Sequence, residues 1–196
     1  MFLTMTHSTQ TKSTTTAKSK AGDGFAVWIT GLPASGKSTV TAALARMLRS
    51  RGLVVTVLES DVLRRVFTTK PSYQEDERET FYNSVACIGE ILTRSGVTVI
   101  FDATANRRQY RERARSKIPR YLEIHVDCPL EVCVERDPKG IYRRAIEGQA
   151  ETVPGLQTVY EAPTDPDVVV YGDIEVPERA AERILAKIVE KGYLEA

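Results

Sequence analysis

Between an apolar run, Phe25-Ala-Val-Trp-Ile-Thr30, and a stretch of helical periodicity stands Gly31-Leu-Pro-Ala-Ser-Gly-Lys-Ser38. Two glycines with four residues between them, followed by Lys and Ser, have the spacing of a Walker A loop. The chemistry explains the spacing. Gly31 and Gly36 let the backbone turn N–H groups inward around phosphate oxygens, so that Leu32, Pro33, Ala34 and Ser35 wall an anion cradle. Lys37 supplies a point charge for the β and γ phosphates, and the Ser38 hydroxyl joins the shell of a Mg²⁺ ion. Thr39 follows them into a helix whose positive end faces the same place. The loop therefore reads as a site for ATP with Mg²⁺.

A loop of this kind needs a strand before it and a helix after it, and the pattern supplies both. Apolar residues recur at helical spacing through Val40, Ala43, Leu44, Met47 and Leu48, until Gly52 punctuates the helix. Further apolar runs at residues 53–58, 97–101, 121–126 and 168–171 read as buried strands. They alternate with helical segments at about 75–94, 107–117 and 177–190, and with a short helix after Pro129. Strands apolar throughout, alternating with helices, predict a three-layer α/β fold of the P-loop type. Its core is a five-stranded parallel sheet with helices on both faces. Ligands in such sheets bind beyond the carboxyl ends of the strands. The glycine loop, Asp61 and Asp102 each follow a strand at that edge.

Each candidate has a plainer reading beside the functional one. Asp61 is a preferred N-cap for the segment that follows, or a carboxylate that orients or deprotonates an acceptor hydroxyl. Asp102 is a structural cap, or a ligand of Mg²⁺ through water. The edge rule favours function for both. Arg64 and Arg78 lie on the expected acceptor side, although a surface arginine is usually only solvated. Tyr73 is placed to stack on a base or to pack a loop. The run Arg107, Arg108, Arg111, Arg113 and Arg115 reads as a solvated helix face, and His125 as a structural histidine. Asp137-Pro-Lys-Gly140 has the form of a GTPase DxxG, but it follows a helix and no NKxD accompanies it, which disfavours a GTPase switch.

Composition limits the remaining classes. With 196 residues the chain has room for one ordinary domain. Lys plus Arg number 27 against 26 Asp plus Glu, a net charge of +1, so no global field favours nucleic acid or a membrane as partner. Anion recognition must be local. No stretch approaches a membrane span. Three cysteines without CxxC spacing indicate neither a disulfide framework nor a zinc site; reduced thiols in a cytoplasmic protein are expected. Residues 1–24 are rich in Ser, Thr and Lys, lack Arg, and read as a disordered tail before a kinase domain at 25–196.

Two further stretches carry a family resemblance. Val126-Asp-Cys-Pro-Leu-Glu-Val-Cys-Val-Glu-Arg-Asp-Pro-Lys-Gly-Ile-Tyr142 and Tyr160-Glu-Ala-Pro163 closely resemble the adenylylsulfate kinase (APS kinase) family, and the likeness extends over nearly all of residues 25–170. It implies ATP-dependent phosphorylation of the ribose 3′-hydroxyl of adenylylsulfate, giving 3′-phosphoadenylylsulfate. It implies a lid at about 137–155 that closes over the nucleotides, with Arg136 on the ATP side and Lys139 toward the substrate. The family's Leu-Asp-Gly-Asp segment and its arginine correspond to Leu58-Glu-Ser-Asp61 and Arg64, and its Phe-x-x-x-x-Arg grip to Tyr73 through Arg78. Departures cluster on the acceptor side. Phe81, Asn83 and Ser84 stand where the family has Asn and Arg-Arg, Asp102-Ala-Thr-Ala105 replaces Ile-Ser-Pro-Tyr, and Glu151-Thr-Val-Pro-Gly155 replaces Lys-Asn-Phe-Thr-Gly with its clamp aromatic. The segment from Asp102 to Arg108 also resembles polynucleotide-kinase-like proteins, which phosphorylate 5′-hydroxyls or other small acceptors. Two alternatives thus stand beside the APS kinase reading: a related kinase with a different nucleotide or small-molecule acceptor, and a nucleotide-binding protein without turnover, which the intact Lys37, Ser38 and Asp61 argue against. A homodimer is left open.

Overall fold

A computed structural model describes residues 24–68 and 71–195. The reading of residues 1–23 as a tail lies outside them. Gly24, counted in that tail, is buried with its amide bonded to the Thr93 carbonyl at 2.7 Å. In chain order the elements are β1 (Ala26–Thr30), α1 (Lys37–Ser50), β2 (Val55–Glu59), α2 (Ser60–Phe67), α3 (Glu75–Arg94) and β3 (Thr98–Asp102). They continue with α4 (Arg108–Lys117), β4 (Tyr121–Asp127), α5 (Leu130–Arg136), α6 (Ile141–Ile146), β5 (Val168–Tyr171) and α7 (Pro177–Glu190). The five strands form one sheet, ordered β2-β3-β1-β4-β5, with every pairing parallel.

The apolar runs explain this arrangement. β1 and β3 are buried at every position, which requires cover on both faces of the sheet. Alternation along β1 divides the core in two. Val27 and Ile29 pack with Leu44 and Leu48 of α1 and with Ile184 and Ile188 of α7. Ala26 and Trp28 turn the other way, toward Phe81 and Val85 of α3 and Tyr110 of α4. Trp28 stacks on Phe101 at 4.5 Å and donates its indole N–H to the Ala103 carbonyl at 3.1 Å.

β1 has β3 on one side and β4 on the other, so the chain switches direction across the sheet at β1. A crevice opens at the carboxyl end of that strand, and the glycine loop fills it. The elements match the sequence pattern with small shifts. The second strand runs through Glu59 rather than ending at Leu58, and Asp102 is the last residue of β3 rather than the first beyond it. The charged region 137–155 contains a helix, α6.

One expectation fails outright. Arg111, placed on a solvated face, is fully buried. Its Nε donates to Glu123 Oε1 at 2.6 Å and its other nitrogens to the Ala105 and Glu161 carbonyls. It shares the inward side of α4 with Ala114 and with Ile118 just beyond the helix, a spacing of three and seven residues that the density of charge around it obscured.

Candidate active site

The glycine loop is held by close packing. A Cβ on Gly31 would lie 2.4 Å from the Val126 carbonyl oxygen and 2.7 Å from Ser35 Oγ, so no side chain fits there. Gly36 sits at φ 101°, the left-handed conformation that sends the chain into α1. Ala34 holds φ 61° without being glycine, strain of a kind that surrounding structure must enforce. No acidic residue occupies the first turn of α1, which leaves its positive end free for an anion. Ser38 and Thr39 are exposed on that turn, and Ser35 Oγ is buried without a partner.

Lys37 is buried, its Nζ donating to the Leu32 carbonyl at 2.7 Å. Burial pushes its ammonium below the ordinary 10.5, while the Asp102 and Asp61 carboxylates pull it up. Protonated Lys37 is the form that attracts phosphate, and kcat/KM reports ionisations of the free enzyme. The alkaline limb of kcat/KM for ATP should accordingly fall below pH 10.5. A limb at or above the ordinary lysine value would contradict this.

Two carboxylates face that lysine. Asp102, at the end of β3, is buried. Asp61 lies in the first turn of α2, whose N-cap is Glu59 and which carries no side-chain cap bond; the capping reading is therefore corrected. Its Oδ2 accepts from Lys139 Nζ at 2.6 Å, both side chains being about 60% exposed. Other acidic donors are sparse here. Among the described residues no group of three or more His, Cys, Asp or Glu could hold a metal. Magnesium asks for little more, since it keeps several waters and takes one or two protein ligands beside substrate phosphates.

The acceptor-side arginines are not solvated surface residues. Arg64 and Arg78 are both buried. The Arg64 guanidinium lies 4.0 Å from the Phe81 ring centroid and 4.8 Å from that of Tyr73, and it pairs with Glu77. Arg78 donates to the Tyr73 carbonyl at 2.7 Å, to Asn106 Oδ1 at 3.2 Å and to the Thr152 carbonyl at 2.7 Å. Phe81 thus fills space against Arg64 where the resemblance has an asparagine. Sequence reasoning missed Glu77 and Asn106. Glu77 is the third residue of α3, the place from which a capping-box acid reaches back, and that signal was legible.

The 137–155 region has its own apolar cluster, in which Cys128, Cys133, Tyr142, Ala145 and Val153 pack with Leu32 and Ala34 of the glycine loop. Tyr142 donates its hydroxyl to the Pro33 carbonyl at 3.1 Å. Val153, at the place of the clamp aromatic, is buried in this cluster rather than presented outward. Arg136 is exposed and donates to the Gly172 carbonyl at 2.8 Å. Burial pushes the Cys133 thiol up to about 12, which removes it as a nucleophile near neutral pH. A second connection also escaped the sequence. Thr30 Oγ1 donates to the Thr104 carbonyl at 2.6 Å and lies 3.1 Å from the Tyr160 hydroxyl, which ties the end of β1 to the loop after β3.

A parallel sheet in this order, with a phosphate cradle after β1 and carboxylates at the ends of the next two strands, defines a P-loop nucleotide kinase. The chain belongs to the adenylylsulphate kinase family, whose model matches residues 23–171. The adenylyl-sulfate kinase of a Picosynechococcus species is 36% identical over 171 residues, covering 87% of this chain and 97% of its own. A probable adenylyl-sulfate kinase of Pyrococcus abyssi is 37% identical over 172 residues, 88% of this chain and 99% of its own. Among solved structures, the Mycobacterium tuberculosis APS kinase in complex with AMPPNP and APS superposes with a TM-score of 0.80 at 27% identity, covering 85% of this chain and 98% of that one. No helix among the described residues is long and apolar enough to cross a membrane.

Proposed function

We propose that this chain transfers the γ-phosphoryl group of ATP to the ribose 3′-hydroxyl of adenylylsulfate, giving 3′-phosphoadenylylsulfate and ADP. The observation that carries this reading is the meeting of Lys37, Asp61 and Asp102 at one sheet edge, in a chain aligned along most of its length with relatives named for that activity. The glycine loop cradles the phosphates, with Ser35, Gly36 and Thr39 beside Lys37 at the start of α1. Lys37 neutralises charge that develops on the transferring group. Asp61 lies on the exposed rim, where it orients the acceptor hydroxyl and takes its proton. Ser38, with Asp102 through water, would hold Mg²⁺, which when bound neutralises phosphate charge. Arg64, Tyr73 and Arg78 shape the acceptor pocket. Arg136 and the 137–155 segment close over the nucleotides, and Lys139, paired with Asp61, brings that segment to the acceptor.

A second reading keeps the kinase and changes the acceptor. It is favoured by Asp102 and by the burial of Val153, which leaves one face of a base without an aromatic partner. An ADP-release assay with Mg·ATP, comparing adenylylsulfate, a 5′-hydroxyl oligonucleotide and small sugar acids, separates the two. Turnover confined to adenylylsulfate supports the proposal. Turnover with another acceptor alone gives the second reading.

A further inference from the structure

The acceptor side contains one carboxylate that the mechanism above does not use. Glu77 is largely buried, with its side chain 17% exposed. One of its oxygens pairs with the guanidinium of Arg64. The other accepts from the Ser72 amide, from the Ser72 hydroxyl at 2.8 Å and from the Tyr73 amide at 2.8 Å. Burial alone would raise this carboxyl. The hydroxyl of Ser72, the amides of Tyr73 and Ser72 and the charge of Arg64 outweigh it and hold Glu77 below its ordinary value.

Those bonds do more than satisfy a helix end. The N-cap of α3 is Gln74, so Glu77 reaches one and two residues beyond the position that a capping-box acid normally serves. It grips the turn in which Tyr73 adopts φ 57°, a left-handed conformation that a bulky residue resists. Its other oxygen fixes Arg64 between the rings of Tyr73 and Phe81. Tyr73 in turn accepts from Arg78 through its carbonyl. A single carboxylate thereby sets the direction of the aromatic ring and of the nearer guanidinium.

We propose that Glu77 is a positioning residue for the acceptor, holding Tyr73 and Arg64 in the geometry that receives an anionic nucleotide. The inference rests on the proposed function, which places the acceptor at Arg64, Tyr73 and Arg78. Because Glu77 touches nothing on the ATP side, its removal should divide the kinetic constants. Glu77→Gln keeps the size and loses the charge-assisted bonds. It should raise KM for adenylylsulfate by about tenfold and leave KM for ATP within about twofold. In a Tyr73→Ala background the same change should matter less, since part of what Glu77 positions has gone.

Wild-type turnover of adenylylsulfate tests the proposed function separately; should it fail, the comparison is made with whichever acceptor the wild type phosphorylates. If Glu77→Gln does not fold, Ser72→Ala, an exposed residue, carries the test with a rise in acceptor KM of about threefold. A folded Glu77→Gln enzyme whose acceptor KM is unchanged, or whose two KM values rise together, overturns the inference.

Discussion

Lys37→Ala should lower kcat for phosphoryl transfer by about 10³-fold or more, roughly 4 kcal/mol of transition-state stabilisation. The fold should survive. Lys37 is buried against the loop it belongs to, and its ammonium donates to the Leu32 carbonyl. Burial also makes its ammonium costly, which the shift below 10.5 records. Alanine removes that cost along with the bond, so the melting temperature should move by only a few degrees. The charge itself has no replacement nearby. Lys139, the other lysine that the site brings close, is engaged with Asp61. Circular dichroism with steady-state turnover checks both halves of the prediction, and activity within tenfold of wild type in a folded Lys37→Ala protein would contradict it.

Asp61→Asn should lower kcat by about 10²-fold, with KM for ATP little changed. The substitution keeps the shape and a hydrogen-bond acceptor but loses the base. A structural explanation of the loss is weak, because the Asp61–Lys139 pair is exposed on both sides and such pairs contribute at most about 1 kcal/mol. Activity and stability should therefore separate. A parallel fall in melting temperature and kcat would point to a structural role, and unchanged kcat would remove Asp61 from the chemistry.

Much of this molecule can be read from its sequence, for physical reasons that differ between residues. Runs such as 25–30 and 97–101 announce strands buried on both faces, because only such strands can be apolar throughout. The glycine loop is legible because its backbone conformation dictates residue types. Asp61 and Asp102 are legible as positions, since strand ends place them on one rim. Their burial is not, and one is exposed while the other is enclosed. The burial of the arginines is hidden for the same reason. Arg64, Arg78 and Arg111 are charged residues that become buried only through partners distant in the chain, namely Glu77, Asn106 and Glu123. Local pattern carries no information about such pairings. The cluster around Tyr142 and Val153 is similar, since its other half is the glycine loop itself.

The central claim concerns where the phosphoryl group goes. Incubating the protein with γ-labelled ATP, Mg²⁺ and adenylylsulfate, then locating the label in the product, tests it most directly. Label is expected on the ribose 3′-oxygen, in a product equimolar with ADP and absent from the Lys37→Ala reaction. Unlabelled adenylylsulfate beside a labelled alternative acceptor, or no labelled product from a protein that binds ATP, would contradict it.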